Sequence, residues 1–266
     1  TAATEKPRDR KVAYYNPQIK RKVDAAGKYV YRVRGTIGGD KVEYYGDKAA
    51  QTAALTTLKL LLAGMISENA EWCTVDLTDF YLNHLHSLDE PEYMWVPMDL
   101  VPSDIISKYN LLPLAVVGKV LARIDSAIYG LPQAGRISQQ HLIAQLAKHG
   151  YYEAPMTPCL FLHKTNNIAF TLVVDDFGVK YKHKHELQHF LNALKEVYQY
   201  KVDMDGKRYL GMTIDIDRVN GIVALSMPGY VQQALNKHDP RRLLPECNSP
   251  MLFVQPIYGS KQTQQA

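Results

Sequence analysis

The chain has 266 residues, of which 46% are hydrophobic and 22% are charged, and its formal net charge is +4. These proportions are ordinary for a globular protein and exclude a disordered, collagenous or coiled-coil chain. No apolar run approaches the roughly 18 residues that a membrane span needs, so we expect no membrane partner.

The positive charge is concentrated in the first fifty residues, which hold twelve Lys/Arg against six Asp/Glu. That balance of +6 leaves −2 for the other 216 residues. Tyrosines interleave with these cations, and aromatic rings among cations can stack on bases while the cations hold phosphates. The first fifty residues therefore suit a polyanionic partner, and residues 1–27 are interpreted as a basic N-terminal extension. The alternative is a solvated leader without a partner.

The elements predicted from periodicity and turn residues mix strands with helices. In chain order they are strands at 28–34 and 41–45, a helix at about 48–67, a strand at 72–77, a loop-rich stretch at 91–102, a strand at 119–128, a helix at 132–149, strands at 160–163, 168–174 and 177–181, a helix at 186–199, strands at 209–217 and 222–226, a helix at about 228–238 and a loose tail at 240–266. The first two strands form a predicted basic hairpin. The mixture predicts an α+β fold with an antiparallel sheet.

Two of the predicted strands run from apolar residues directly into carboxylates. Asp76 lies near the end of one strand, and Asp175 and Asp176 follow the other. If the two strands are neighbours, the three carboxylates meet at one sheet edge and repel each other unless a cation is bound. Hard oxygen ligands select Mg²⁺ or Mn²⁺, and two such ions can support phosphoryl transfer. The alternative is that Asp175-Asp176 is an ordinary surface turn.

Five segments resemble, in this order along the chain, the reverse transcriptase domain of copia-type long-terminal-repeat retrotransposons. They are Tyr31-Arg32-Val33-Arg34-Gly35 (the basic fingers strand), Asp76-Leu77-Thr78-Asp79-Phe80-Tyr81-Leu82-Asn83 (the first catalytic segment), Ile128-Tyr129-Gly130-Leu131-Pro132-Gln133-Ala134-Gly135 (the substrate-binding segment), Val173-Val174-Asp175-Asp176 (the Asp-Asp box) and Lys207-Arg208-Tyr209-Leu210-Gly211-Met212 (the strand that supports the primer). Each segment is weak alone, but the ordered set covers about residues 28–238 and is specific.

The resemblance implies an α+β right-hand polymerase with fingers, palm and a partial thumb around a central antiparallel palm sheet. The implied division is a basic extension at 1–27, fingers at 28–71, palm at 72–227 with a fingers insertion around 85–135, and the start of the thumb or connection with a tail at 228–266. The implied activity is RNA-directed DNA polymerase, a nucleotidyltransferase that extends a primer 3′-hydroxyl. One alternative is a decayed or domesticated copy that only binds nucleic acid. Another is a non-polymerase α+β domain with a chance Asp-Asp turn.

The same resemblance assigns roles to individual residues. The catalytic carboxylates would be Asp76, Asp175 and Asp176, which with the backbone carbonyl of Leu77 would bind two Mg²⁺ or Mn²⁺ ions. The incoming deoxynucleotide would be bound by Arg32, Arg34, Lys28, Tyr81 and Gln133. Within this set Tyr81, five residues after Asp76, would close under the sugar and exclude a 2′-hydroxyl. The primer or template would be contacted by Tyr209, Leu210, Gly211, Lys180 and Lys182.

Several of these residues also have a purely structural interpretation. Tyr81 could be a core aromatic and Gln133 a helix N-terminal residue, while Arg32 and Arg34 could pair with Asp40 and Glu43 across the predicted hairpin. The lysines Lys180 and Lys182 could lie in a solvated turn. Asp79 is interpreted as turn support and not as a ligand. Either Lys201 or Lys207 is the candidate for protonating the leaving pyrophosphate.

The implied partners are an RNA or DNA template with its primer, deoxynucleoside triphosphates, and the ribonuclease H and integrase segments of a parent polyprotein. The chain begins without Met and contains no ribonuclease H, protease or integrase pattern, so we expect a piece of a longer polyprotein. The cysteines Cys73, Cys159 and Cys247 are an odd, widely spaced set, which predicts an intracellular, reducing compartment. The expected location is the cytoplasm, in a virus-like particle, the nucleus, or both.

Overall fold

A computed structural model describes residues 10–23, 27–83 and 88–241. In chain order the elements are β1 (Ala13–Tyr14), β2 (Gln18–Val23), β3 (Tyr29–Arg34), α1 (Leu55–Ser67), β4 (Glu71–Thr78), β5 (Glu92–Pro97), α2 (Ser103–Lys108), β6 (Lys119–Ile124), α3 (Ala134–Lys148), β7 (Tyr151–Glu153), β8 (Leu160–His163), β9 (Ile168–Val173), β10 (Asp176–Tyr181), α4 (Lys184–Lys195), β11 (Gln199–Asp203), β12 (Arg208–Tyr209), β13 (Met212–Asp217), β14 (Ile222–Ser226) and α5 (Pro228–His238). The chain divides into two compact units, Thr1–Leu225 and Ser226–Ala266, and α5 lies in the second.

The centre of the first unit is a six-stranded antiparallel sheet with the strand order β11-β4-β10-β9-β8-β7. Helices α3 and α4 cover one face, where Leu142 and Phe190 are fully buried. Helix α1 and the strands β12 and β13 pack on the other face, around Met65 and Tyr209. The predicted mixture of helices with an antiparallel sheet is therefore observed, and the two cores make this sheet a rigid support.

Side-chain alternation along β4 explains how one strand serves both faces. Val75 and Leu77 are buried in the core that α3 and α4 cover. Trp72 and Asp76 project from the opposite face, because successive side chains on a strand alternate. Trp72 is buried in the second core and anchors the strand, whereas Asp76 is exposed. The strand therefore holds Asp76 at the surface with its backbone fixed from both sides.

Three smaller sheets complete the described part of the fold. They have the strand orders β1-β5-β6, β12-β13-β14 and β2-β3. In the first of these, β1 runs parallel to β5, and β5 runs antiparallel to β6. A third, small core, built from residues such as Ile37 and Leu131, packs against the sheet β1-β5-β6. This core fixes the segment that follows the hairpin β2-β3 against the segment that precedes α3.

The basic hairpin contains one of the two predicted strands, paired with a different partner. The strand at 28–34 is confirmed as β3, but its partner is β2, which precedes it in the chain. The predicted return strand at 41–45 is wrong, because a short 3₁₀ turn occupies Gly39–Lys41 and residues 42–45 form no strand. Both hairpin strands are exposed along their whole length, so β2 shows little of the apolar alternation that reveals a half-buried strand.

Several other predicted boundaries also differ from the structure. The first helix begins at Leu55 and not at 48, the strand at 119–128 ends at Ile124, and the helix at 186–199 is α4, which ends at Lys195. The stretch at 91–102, interpreted as loops, contains β5. The prolines allow this strand because Pro91 precedes it and Pro97 is its last residue. The strands β1, β7 and β11 and the helix α2 were not predicted, since each has six residues or fewer.

Some predictions fall outside the described residues, namely parts of the N-terminal extension (1–9 and 24–26), the start of the fingers insertion (up to residue 87), most of the tail (242–266) and Cys247. Among the residues that are described, no helix combines the length and apolar character that a bilayer crossing requires. Cys73 and Cys159 are buried free thiols. Burial raises the pKa of Cys73 to about 12 and that of Cys159 to about 11, so both thiols stay protonated at neutral pH.

Candidate active site

Three aspartates meet at one end of the central sheet. Asp76 on β4 and Asp176 on β10 lie directly opposite each other in the antiparallel register. Directly opposed residues share a face and have Cβ atoms about 4.5–5.5 Å apart. Asp175 lies in the turn between β9 and β10, and its carbonyl accepts a hydrogen bond of 2.9 Å from the backbone N–H of Leu77. The two strands that end in carboxylates are therefore neighbours, as the site hypothesis requires.

The turn that carries Asp175 is short and strained. Val173 pairs with Asp176, so only Val174 and Asp175 connect β9 to β10. Val174 has a φ of +59°, a conformation that costs a β-branched residue about 1–2 kcal/mol. The core residue Leu172 and the hydrogen bond to Leu77 hold the turn in place. This geometry allows adjacent aspartates to serve one site, although side chains on a straight strand would point apart.

The three carboxylates disfavour one another's charged forms. Burial, followed by the charges of Asp175 and Asp76, raises the pKa of Asp176 to about 6. Burial also raises the pKa of Asp175, and Asp76 raises it further. A backbone hydrogen bond and the guanidinium groups of Arg34 and Arg32 oppose that second rise. The cluster thus carries negative charge that a bound cation would stabilise.

The donor set is chemically suited to a hard divalent cation. In the described ranges, no group of three or more His, Cys, Asp or Glu side chains is arranged so that it could already hold a metal ion. The three aspartates nevertheless offer only carboxylate oxygens, which Mg²⁺ and Mn²⁺ prefer. The hydrogen bond from Leu77 to Asp175 also fixes the Leu77 peptide beside them. The residues therefore fit the predicted ions by chemistry, without forming a closed cluster.

A row of rings and a cation lies close to Asp175. The ring of Tyr81 meets the ring of Tyr129 edge-on, with centroids 4.8 Å apart. The guanidinium carbon of Arg34 lies 4.9 Å from the centroid of the Tyr129 ring. Burial raises the pKa of both tyrosines, Asp175 raises it further, and Arg34 lowers it. The residues predicted to contact the sugar and the triphosphate are thus electrostatic neighbours of Asp175.

Tyr129 is a functional candidate that the sequence analysis missed. It belongs to the segment that resembles the substrate-binding segment, but a single tyrosine among 18 carries no chemical signal of its own. The available signal was its position four residues before Gln133. Only the structure shows that Tyr129 lies between Arg34 and Tyr81.

The hairpin β2-β3 has two chemically different faces. Because of its register, one face carries the cations Lys20, Lys22, Arg32 and Arg34 together with Gln18 and Val30. The other face carries Ile19, Arg21, Val23, Tyr29, Tyr31 and Val33, with the Arg21 guanidinium 4.4 Å from the Tyr29 ring centroid. Since Arg32 and Arg34 interact with Asp175, the cationic face is the one on the aspartate side.

The surface ion pairs considered for Arg32 and Arg34 are not formed. Asp40 and Glu43 are bound instead by side chains upstream, Tyr14 and Lys11 respectively. Lys28 immediately precedes β3, six residues from Arg34, which corresponds to about 20 Å along a strand. Its part in the triphosphate clamp stays a prediction.

Gln133 also stands apart from the aspartates. Its residue is only 4% exposed, and its Oε1 has no hydrogen-bond partner within the described structure. It immediately precedes α3, so it lies at the helix N-terminus as the structural alternative requires, although its side chain makes no cap hydrogen bond. It lines a cavity of about 780 Å³ whose other lining residues include Arg10, Arg136 and Tyr45 but none of the three aspartates. The oxygen is itself buried, and leaving a buried amide oxygen unpaired costs about 1–3 kcal/mol.

The two lysines predicted to contact primer or template are engaged elsewhere, and we withdraw them from that role. The Lys180 ammonium donates to both carboxylate oxygens of Glu68 at 2.7 Å, and its side chain is only 10% exposed. The Lys182 ammonium donates to the backbone carbonyls of Glu68 and Asn69. Lys180 is four residues from Asp176 along β10, or about 13 Å. The sequence does not reveal this, because Glu68 is 112 positions away.

The predicted primer-support strand contributes in two ways. Tyr209 is buried, and its hydroxyl lies 3.2 Å from the Thr171 hydroxyl and donates to the Asp176 carbonyl at 3.4 Å. It therefore supports the aspartate hairpin from beneath and is not exposed to a primer, contrary to the prediction. Leu210 and Gly211 form the turn between β12 and β13 with φ of +52° and +77°. That turn remains the candidate primer contact.

The two candidate proton donors occupy different places. Lys201 on β11 lies opposite Asp76 on β4 and is exposed, so it extends the row of charged groups across the sheet. Lys207 is paired with Asp205 at 3.7 Å, and both side chains are well exposed. The structure therefore favours Lys201 as the cation next to the aspartates.

A protein-family model matches most of the chain. The family model described as "Reverse transcriptase (RNA-dependent DNA polymerase)" matches residues 3–252. The matched region includes the three aspartates, the hairpin β2-β3, Tyr81 and Tyr129. Because the match spans well over half of the sequence, the chain belongs to the reverse transcriptase family.

Proposed function

We propose that the chain is an RNA-directed DNA polymerase whose catalytic residues are Asp76, Asp175 and Asp176. The observation that carries the proposal is the register that puts Asp76 opposite Asp176, with Asp175 in the adjoining turn. Two arginines on the facing side of a hairpin interact with this negative cluster. An acidic centre beside a cationic clamp is the arrangement that transfer of a nucleotide from its triphosphate requires.

In the proposed mechanism, metal binding is the role of the acidic centre. Enzymes of this family generally depend on Mg²⁺. The three aspartates and the Leu77 carbonyl would hold two Mg²⁺ or Mn²⁺ ions, which when bound activate the primer hydroxyl and stabilise charge on the phosphate. The chain itself supplies the rigid sheet edge that presents these oxygens. Arg34 and Arg32 bind the triphosphate from the hairpin, and Gln133 offers its free amide oxygen to the nucleotide or template.

The finer identity of the protein is also proposed. The five ordered segments support the copia-type lineage, with fingers at 28–71, palm at 72–227 and the start of the thumb from 228. The partners would be an RNA or DNA template, its primer and deoxynucleotides, with ribonuclease H and integrase segments in the parent polyprotein. The location would be intracellular, in a cytoplasmic virus-like particle, the nucleus, or both.

The direct test is extension of a DNA primer annealed to an RNA template, first with Mg²⁺ and then with Mn²⁺. We expect incorporation of the complementary deoxynucleotide that depends on the divalent cation. Tight binding of the same template–primer without extension under either metal would instead support the decayed copy that only binds nucleic acid. Neither binding nor extension would contradict both functions.

The cationic face of the hairpin predicts a salt effect on template–primer binding. Replacing Lys20→Gln and Lys22→Gln together should make the slope of log affinity against log salt shallower by up to about 2, since each phosphate contact on duplex contributes about 0.9. The measurement is an equilibrium titration at several salt concentrations. As a matched control, Lys164→Gln with Lys195→Gln removes two exposed lysines elsewhere on the first unit. Equal slopes for the hairpin variant and the wild type would contradict the assignment of this face.

A further inference from the structure

Tyr129 lies between two residues that are expected to contact different parts of the nucleotide. Its ring contacts Tyr81, which the family resemblance places under the sugar, at a centroid distance of 4.8 Å and an interplanar angle of 82°. The guanidinium of Arg34, proposed to bind the triphosphate, lies 4.9 Å from the same ring. The charges of Asp175 and Asp79 also act on Tyr129, as does the charge of Arg32.

The backbone of Tyr129 is fixed to the segment that follows the hairpin. Its carbonyl accepts a hydrogen bond of 2.9 Å from the N–H of Ile37, three residues after Arg34. Gly130 has a φ of +97°, and a Cβ at Gly130 would overlap the Ile37 carbonyl. A Cβ at Gly39 would in turn overlap the carbonyl of Gly130. The two segments therefore approach so closely that the position of the Tyr129 ring is tied to the base of the hairpin.

Packing in a hydrophobic core does not account for an aromatic ring at position 129. Its neighbours Ile128 and Tyr81 pack against the third core, but Tyr129 belongs to none of the three cores formed by the described residues. The residue is only partly buried. Among the described residues, the contacts of its ring are with Arg34 and Tyr81, and both of these interact with the charge of Asp175.

We propose that Tyr129 is a positioning residue that couples the triphosphate clamp to the sugar pocket, a role that rests on the proposed polymerase function. The ring face orients the Arg34 guanidinium through a cation–π contact. The edge-on contact with Tyr81 keeps that ring in place. When a nucleotide binds Arg34, the ring of Tyr81 is therefore already in the orientation that the sugar contacts. The hydroxyl of Tyr129 is not required, because both contacts are made by the ring.

The test compares Tyr129→Leu, which removes the ring, with Tyr129→Phe, which keeps it. In single-nucleotide incorporation, Tyr129→Leu should raise the KM for the deoxynucleotide about tenfold, with kcat changed less than about threefold. Tyr129→Phe should match the wild type in both constants. Arg34→Lys keeps the charge but loses the planar group over the ring, so it should raise KM in the same way. If Tyr129→Leu fails to fold, Tyr129→Met replaces it in the same comparison, because Met also lacks a ring but adapts its shape to the site.

Coupling between the two residues gives a sharper criterion. In the Arg34→Lys background, Tyr129→Leu should raise KM far less than it does alone, because the contact is already lost. Tyr109→Leu is the matched control, since Tyr109 is an exposed tyrosine with Lys108 5.4 Å from its ring centroid and is not among the groups that interact with the aspartates. Independent effects of Arg34→Lys and Tyr129→Leu, or a fall in kcat and melting temperature with unchanged KM, would overturn the proposal.

Failure of this inference and failure of the proposed function can be told apart. If the wild type extends no primer, the polymerase proposal fails, and the inference is then tested by equilibrium binding of a deoxynucleoside triphosphate with Mg²⁺, measured calorimetrically. Weaker binding by Tyr129→Leu but not by Tyr129→Phe or Tyr109→Leu would support the positioning role without catalysis. Equal binding by all variants, or no binding by the wild type, would overturn it.

Discussion

Replacing Asp76→Asn or Asp175→Asn should lower single-nucleotide incorporation by about a thousandfold or more. The substitution removes one charged oxygen ligand from the centre that would hold two divalent ions, while the side chain keeps its size and its place at the end of the sheet. Asp176→Asn should also remove most activity, although its role at the metals is less direct. The measurement is the rate of one incorporation step with Mg²⁺ on a defined template–primer.

Thermal melting without divalent cations distinguishes a catalytic loss from misfolding. The pKa of Asp176 is raised to about 6, above its ordinary 3.8. An acid whose pKa is raised by folding stabilises the fold below the ordinary pKa and loses that contribution as the pH rises through the folded value. At pH 7.5 the charged Asp176 therefore opposes folding, and Asp176→Asn should melt about 2–4 °C higher, allowing for solvent screening of a half-exposed group.

Asp79→Asn is the matched control for these aspartate variants. Asp79 lies three residues after Asp76, is exposed, and has a φ of +51°, a conformation that asparagine adopts readily. Its carboxylate is near the site but is not proposed as a ligand, so incorporation should fall less than about threefold. Full activity in Asp76→Asn or Asp175→Asn would reject the site, as would equal losses in Asp79→Asn.

The sequence predicted the acidic centre because its evidence is local. Asp76 and the pair Asp175-Asp176 each follow apolar strand residues, and antiparallel pairing of those two strands was enough to bring them together. The strand β3 was also found, since it alternates. Its partner β2 was missed because an exposed hairpin has no buried face to impose a pattern. Prolines at the ends of β5 were similarly misinterpreted as loop residues.

The roles that were wrong or missed depend on contacts between distant positions. Lys180 looks like a free cation in the sequence, yet it is paired with Glu68, the residue that follows α1. Tyr209 looks like an exposed aromatic, yet it is buried beneath Asp176. Tyr129 and Arg34 are 95 positions apart in the numbering and meet only in the fold. Pattern and spacing cannot supply such pairings, because they are set by tertiary packing.

Replacing Tyr81→Ala should raise ribonucleotide incorporation relative to deoxynucleotide incorporation by about a hundredfold. Tyr81 is half-buried, and Asp175 raises its pKa together with burial, so its ring lies close to the proposed metal site. A ring at the floor of the sugar pocket excludes a 2′-hydroxyl by its volume. Shortening the side chain removes that obstacle, so the efficiency with ribonucleotides should rise. Deoxynucleotide turnover should fall by a smaller factor than that rise. The measurement is kcat/KM for both nucleotides on one template–primer.

Phe80 provides the control that separates a gate from a core aromatic. It is adjacent to Tyr81, and their ring centroids are 5.4 Å apart. It is only 1% exposed and belongs to the core that α3 and α4 cover. Phe80→Ala should cost about 3–5 kcal/mol of stability through the cavity it leaves and should reduce the use of both nucleotides alike. If Tyr81→Ala behaves in the same way, with a lower melting temperature and unchanged sugar selectivity, then Tyr81 is a core residue. That outcome would also weaken the alignment of Asp76, because the gate assignment depends on the five-residue spacing between them.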